Sequence, residues 1–366
     1  MPYFSLKAFS LWLAAVACLL AAPAGAVSID MVTIGNAGNA SDTRVGVNTF
    51  GYGSVAYDYQ IGKYDVTIGQ YTAFLNAVAA TDTYSLYSSF MVTDLRSAGI
   101  SRANSSGSYT YSAIGSANRP ITFVDWWDSA RFANWMANGQ PTGVQTSTTT
   151  EDGAYNVNGA TTGNAVAKNA TNPNTGAAPT FFNPTENEWY KAAYYSPTYG
   201  GVGVPGYYAY ATQSDTAPGN VVGSLANQAN YYNGVYSVTQ SSLPDGSQNY
   251  LTDVGAFTNS GSFYGTYDQS GNVVQWNDLD GAAGSSRGLR GGYFGEIYGY
   301  DNPGTFGVSS SYSKLSNPSG DGFAGIRLAS PVSVSAVPEI DPNGLSAVLG
   351  LIVGGLGLLE RRRYGR

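Results

Sequence analysis

Asp268-Gln-Ser-Gly-Asn-Val-Val-Gln275 places one acid and several amides on a segment folded back by a Gly-Asn pair. Such a turn can converge several oxygens on a hard cation, and calcium suits a donor set of this kind. The same residue types also serve ordinary turn chemistry, so the segment alone leaves both readings open. Softer chemistry is closed off. The chain has no His, and its one Cys, Cys18, stands in an apolar N-terminal run. Without imidazole or thiolate, most transition-metal sites and nucleophile–base pairs cannot be built. The glycines between Gly281 and Gly292 do not make a phosphate loop, because the Gly-Lys-Ser/Thr ending is missing.

Three helices are predicted to frame these groups. Thr67-Ile-Gly-Gln70 fits a capping box ahead of Tyr71, Phe74, Leu75 and Val78, which recur at helical spacing. Asp125 is an N-cap candidate before Trp126 to Ala137, with Asn138-Gly139 as the stop. Thr185-Glu-Asn-Glu188 is a second capping box, before Trp189, Ala192 and Ala193. The remainder reads as short strands and turns. The stretches Gln140 to Ala178 and Ser196 to Gln228, rich in Gly, Thr, Asn and Ser, read as surface loops. Trp126, Trp127, Trp135, Trp189 and Trp276 are expected in the core, and Tyr207, Tyr208 and Tyr210 on an exposed loop surface.

The two ends have their own signatures. Lys7, an apolar run from Ala8 to Ala22 and Ala24-Gly25-Ala26 form a secretory signal peptide, residues 1–26, cut after Ala26. Cys18 leaves with it, so the exported domain is expected to hold no disulfide. Residues 27–330 form one domain, 331–336 a spacer, and 337–366 a tail. That tail runs from Val337-Pro338-Glu339 through an apolar stretch, Leu345 to Leu359, to Arg361, Arg362 and Arg363. The stretch is short for a membrane span, and the arginines would stay on the cytoplasmic face. The ends hold five of the 17 basic residues but only three of the 24 acidic ones, so the domain is more acidic than the chain's net −7. An acidic surface repels phosphate backbones and excludes nucleic acid as a partner.

Two resemblances follow from these residues. Pro338-Glu339, an apolar helix and a basic end in this order resemble the PEP-CTERM sorting signal, which an exosortase cuts near the Pro-Glu. Between the ends, ordered blocks resemble the formylglycine-generating enzyme family, also called sulfatase-modifying-factor domains. They are Val32–Gly35 with Tyr59–Thr67 and Gln70-Tyr71, then Arg119–Ala130, Asn183–Ala193, Tyr267–Trp276, Arg287–Tyr293 and Gly322–Ala329. The resemblance implies an α+β, loop-rich formylglycine-generating-enzyme-type fold related to the C-type lectin fold.

It also implies site residues. One family calcium site falls on Asp268, Gly271, Val273 and Gln275, where Gln275 replaces the family's Glu; a second falls on Asn230, Tyr231 and Asp245. The family's copper-binding cysteines align with Glu296 and Asp301, whose carboxylates cannot supply soft thiolate ligation. A related branch binds iron through histidines, and this chain has none. Calcium is therefore the candidate cofactor, and neither copper nor iron is expected. The expected function is an exported cell-surface or matrix protein with a non-catalytic module that binds a glycan or a protein. The alternatives are an oxidase with an oxygen-ligand metal site and a purely structural matrix component. Signal peptidase and exosortase are the expected processing partners, with the precursor held in the inner membrane.

Overall fold

The computed structural model describes residues 26–44, 51–295, 314–320 and 322–332. The signal peptide up to Gly25, the sorting tail with Pro338 and Glu339, and both Glu296 and Asp301 lie outside them. Among the described residues no helix is long and apolar enough to cross a membrane.

The chain opens with β1 (Met31–Ile34) and β2 (Tyr59–Gly62), then α1 (Ile68–Val78) and the single turn α2 (Phe90–Thr93). A hairpin of β3 (Ile100–Ala103) and β4 (Thr110–Ala113) precedes α3 (Trp126–Ala137). After a long loop come α4 (Glu186–Tyr194) and the short hairpin of β5 (Tyr195–Ser196) and β6 (Gly206–Tyr207). Strands β7 (Val274–Asn277), β8 (Arg287–Arg290), β9 (Lys314–Ser316), β10 (Ala324–Gly325) and β11 (Ala329–Pro331) complete it.

Two sheets organise the frame. In the first, β2 lies between β1 and β11, both antiparallel, with Val32 and Ala329 each opposite Ile61. This pairing brings the two ends of the domain together. The second has the order β10-β7-β8-β9, with β10 parallel to β7.

All three predicted caps form. Thr67 Oγ1 accepts from Gln70 N at 3.2 Å while Gln70 Oε1 accepts from Thr67 N at 2.8 Å. Asp125 exchanges the same pair with Asp128, at 2.8 and 3.1 Å, and Thr185 with Glu188, at 3.2 and 2.7 Å. Each box satisfies orphan amides at a helix start. Helix α1 then buries Ile68, Tyr71, Phe74, Leu75 and Val78 along one stripe. Helix α3 is buried on every side, polar residues included. The five tryptophans are in the interior as expected.

The long stretch from 140 to 178 contains no regular element, but it is not a free surface loop. Asn134 Nδ2 donates to the carbonyls of Thr150 and Tyr155 at 2.7 and 2.8 Å, and Asn138 Nδ2 to those of Thr149 and Asp152 at 3.0 and 2.8 Å. Arg131 clasps Glu151 through two bonds of 2.8 Å, both groups buried. Polar side chains of α3 thus stand in for sheet partners. The expectation for the tyrosines is also corrected: Tyr207 and Tyr210 are buried and Tyr208 is half-buried, because Tyr207 packs onto α4 and Tyr210 against Ala229 and Tyr231.

The cap of α3 can be tested directly. Asp125→Ala should cost about 1 kcal/mol, the usual value of a lost N-cap, and lower Tm by about 2–4 °C. Calorimetry would show no change if the cap were ornamental.

Candidate functional site

The turn from Asp268 to Gln275 is largely buried, and the side chains at both its ends bind protein partners. Gln275 Oε1 accepts from Trp189 Nε1 at 2.8 Å and from Arg327 Nε at 2.7 Å. Gln275 Nε2 donates to the Asp268 carbonyl at 2.7 Å, and Asp268 Oδ2 accepts from Gly255 N at 2.7 Å. Arg327 is fully buried and also binds the carbonyls of Gly62 and Tyr267, both at 2.6 Å, and Asp65 Oδ1 at 3.2 Å. Burial pushes the Asp65 carboxyl well up, Arg327 opposing and Asp268 adding to the rise.

The Gly-Asn turn has a packing reason. Gly271 has φ +88°, and a Cβ there would sit 2.2 Å from the Asn230 carbonyl oxygen. That carbonyl accepts from Asn272 N at 2.7 Å, and Asn230 Nδ2 donates to Asn272 Oδ1 at 3.0 Å. Only glycine allows the two segments to approach so closely. The sequence-predicted residues Asn230, Gly271 and their neighbours are thus brought together, by backbone pairing.

The Gln275 side chain is not free to ligate calcium. Both acceptor directions of Gln275 Oε1 are taken, one of them by a cation, Arg327. The Tyr231 carbonyl accepts from Asn220 and Ser237, and Asp245 turns its carboxylate to Ser247 at the surface. Among the described residues no three Asp, Glu, His or Cys side chains gather in metal-binding geometry.

A second interior network lies beside β8. Glu186 pairs with Arg290 and accepts from Asn277 Nδ2 at 2.6 Å. Asp278 accepts from Trp126 Nε1 at 2.7 Å and from the Tyr155 hydroxyl at 2.5 Å, with Arg287 Nε at 3.4 Å. Burial pushes Asp278 up to about 6, against the pull of Arg287, Tyr155 and Trp126.

Beyond β8 the chain enters a ladder of rings. Phe90, Phe123, Phe323 and Tyr293 follow at centroid spacings of 5.6, 5.6 and 4.9 Å, and Tyr293 meets Phe294 at 5.4 Å. Phe294, Tyr250, Tyr236 and Tyr232 continue it at 5.7, 4.4 and 4.8 Å.

A concave site opens elsewhere. Residues Ala40–Arg44 form one wall and Tyr195, Tyr199 and the segment 204–207 the other, enclosing about 370 Å³. Arg44 grips Asp42 in a two-pronged pair, Nε to Oδ1 at 2.9 Å and Nη2 to Oδ2 at 2.6 Å. Tyr190 donates to Asp42 Oδ2 at 2.7 Å. Burial works against the Asp42 charge, but these bonds hold its carboxyl below the ordinary value. The Tyr190 ring lies against the Arg290 guanidinium at 4.8 Å, so the cleft is braced by the interior pair. Sequence reasoning missed Asp42, Arg44 and Tyr199; of the loop tyrosines it named, Tyr207 lines this cleft.

Over residues 32–331 the sequence matches the sulfatase-modifying factor enzyme 1-like domain, the FGE-sulfatase family. The chain belongs to this family. Solved structures similar to this FGE-sulfatase domain include CarF, at 21% identity over 83% of this chain and 99% of that one, TM-score 0.42. Variable protein 1 of Treponema denticola matches at 18% over 84% and 96%, TM-score 0.44. PvdO from Pseudomonas aeruginosa matches at 17% over 82% and 94%, TM-score 0.42. No curated protein matches the chain significantly. The FGE-sulfatase domain here is α+β and loop-rich, as the motif blocks imply.

Two outcomes follow for this FGE-sulfatase domain. Because Asp278 titrates near 6 when folded and near the ordinary 3.9 when unfolded, its contribution to stability is present below about pH 4 and is lost as pH rises through about 6. Asp278→Asn should therefore flatten the fall in Tm between pH 5 and pH 7; an unaltered slope would refute the assignment. Chelation with EDTA should leave Tm unchanged, and a calcium-dependent rise in Tm would overturn the donor analysis.

Proposed function

We propose that this protein is an exported, non-catalytic member of its family that binds a ligand, a glycan or a surface protein, at the cleft between residues 40–44 and the β5–β6 hairpin. The observation that carries this reading is the cleft itself: a concave site with tyrosine walls and a preformed Asp42–Arg44 pair. Ligand sites are typically concavities of this size with few fixed polar groups. The lack of His throughout and of Cys beyond position 18 supports the absence of the family's metal chemistry. The buried carboxylates Asp65, Asp278 and Glu186 face arginines and hold the frame.

Export rests on the two ends. Cleavage after Ala26 suits the start of the domain, since Val27 N donates to Gln140 Oε1 at 2.7 Å and the Val27 carbonyl accepts from Gln140 Nε2 at 2.7 Å. The chain is thus fastened from the first residue after the cut. The Pro338-Glu339 tail would hold the precursor in the inner membrane until an exosortase releases it to the surface or matrix.

Purified mature protein tests the reading. We expect a mass beginning at Val27, no stoichiometric copper or iron, and no oxygen consumption with a cysteine-containing peptide. Stoichiometric metal with oxygen uptake would establish an oxidase instead. In equilibrium dialysis against polymer isolated from the producing cells, the domain should concentrate on the polymer side. Equal distribution would overturn the binding role.

A further inference from the structure

We infer that the cleft is a subsite for a neutral hexopyranose unit, a proposal that rests on the binding reading and names the ligand class for the same site. Three features of the cleft converge on this ligand. First, its floor and one wall carry tyrosines, with Tyr195 and Tyr207 packed beneath and the Tyr199 ring left open to a ligand. Tyr195 meets Tyr207 at 5.2 Å and 66°, and Tyr199 meets Tyr208 at 5.0 Å and 73°. Tyrosine faces are electron-rich and attract the polarised C–H bonds on one face of a sugar ring. Tyr199 remains 36% exposed, and Val204 beside it is 52% exposed.

Second, the polar groups are planar, charged and already in place. The Asp42–Arg44 pair is joined by Asp215, whose Oδ1 lies 3.7 Å from Arg44 Nη1 and whose Oδ2 accepts from the Tyr199 hydroxyl at 2.8 Å. Asp42 is nearly buried and cannot turn away, while Asp215 is half exposed and can accept from a ligand. Carboxylates beside a guanidinium present acceptors and donors at neighbouring positions, as a vicinal pair of hydroxyls requires.

Third, the charge balance chooses among ligands. Within the lining Asp42 and Arg44 cancel, and Asp215 beside them tips the rim of the cleft to negative, in a chain of net charge −7. Uronates, sulfated sugars and nucleotides are repelled. An extended peptide finds no support, since β5 and β6 are two residues each and offer no strand edge for added pairing. A volume of about 370 Å³ suits one or two sugar rings and not a folded protein element.

Isothermal titration of the mature domain with neutral gluco- and manno-oligosaccharides, and with oligouronates, tests this. Saturable binding of a neutral sugar is expected, with no uronate binding. Tyr199→Ala and Asp215→Asn should each weaken it at least tenfold at unchanged Tm. Val204→Trp, which fills the cleft from an exposed position without deleting a contact group, should abolish it, whereas Phe90→Ala on the aromatic ladder should have no effect. Binding that survives Val204→Trp, or is lost in Phe90→Ala, would move the site to the ladder and overturn the proposal. Preference for uronates, or no sugar binding by a domain that still partitions onto the cell polymer, would overturn it while leaving the binding role intact.

Discussion

One buried guanidinium holds the frame. Arg327, between β10 and β11, binds the end of β2 through the Gly62 carbonyl, the 267–275 turn through the Tyr267 carbonyl and Gln275, and Asp65 through an ion pair. Through Gln275 it also meets Trp189 of α4. Burying an unpaired charge would cost several kcal/mol, so the segments that supply its acceptors must assemble together. Asp65 has the opposite need: burial raises its carboxyl, and Arg327 is the cation that opposes the rise. At the 267–275 turn the Gln275 side chain and the Tyr267 carbonyl face a cation. That cation is covalently part of the chain.

The other buried charges obey the same logic. Glu186 and Arg290 link the first turn of α4 to β8, and Asp278 and Arg287 link the end of β7 to the start of β8. In each case an acid and a base from different elements meet, with neutral donors such as Asn277, Trp126 and Tyr155 completing the acid. Loops are pinned by amides where many exported proteins use disulfides. Asn134, Asn138 and Asn172 reach carbonyls up to 35 residues away and hold the 140–178 stretch against α3. An amide side chain pairs with irregular backbone as a strand would, which explains why so little regular structure suffices.

The local signals were legible in sequence. Capping boxes at Thr67 and Thr185 and the Asp125 cap mark helix starts because donor and acceptor lie three residues apart, and all three form. Tryptophan burial was equally readable. What sequence could not show is which partner takes each lone pair. Asp268, Asn272 and Gln275 are oxygen-bearing residues on a turn whether they face calcium or protein, and the decision lies with Arg327, 52 positions from Gln275. A signal existed: in a chain with only 11% charged residues, an arginine between Ile326 and Leu328 in an apolar run is conspicuous. Tyr207 and Tyr210 misled because glycine-rich surroundings suggest exposure, although such loops can fold back, Tyr207 onto the aromatic helix α4 and Tyr210 onto Ala229 and Tyr231.

The cleft depends on that folding back. Tyr190 sits on α4 between the interior Glu186–Arg290 pair and the surface Asp42–Arg44 pair, its ring against one guanidinium and its hydroxyl on the other pair's carboxylate. The loop residues 40–44 are thereby fastened to the rigid helix, and Tyr207 adds a second tie, donating to the Ala40 carbonyl at 2.7 Å. A binding site built on loops is useful only when its groups are held before the ligand arrives, since ordering them afterwards would consume the affinity. Here the same α4 whose first turn belongs to the family's Asn183–Ala193 block fixes the cleft on its other side. The recess is thus shaped by side-chain and backbone contacts of this chain, set by the same helix that carries the interior ion pair.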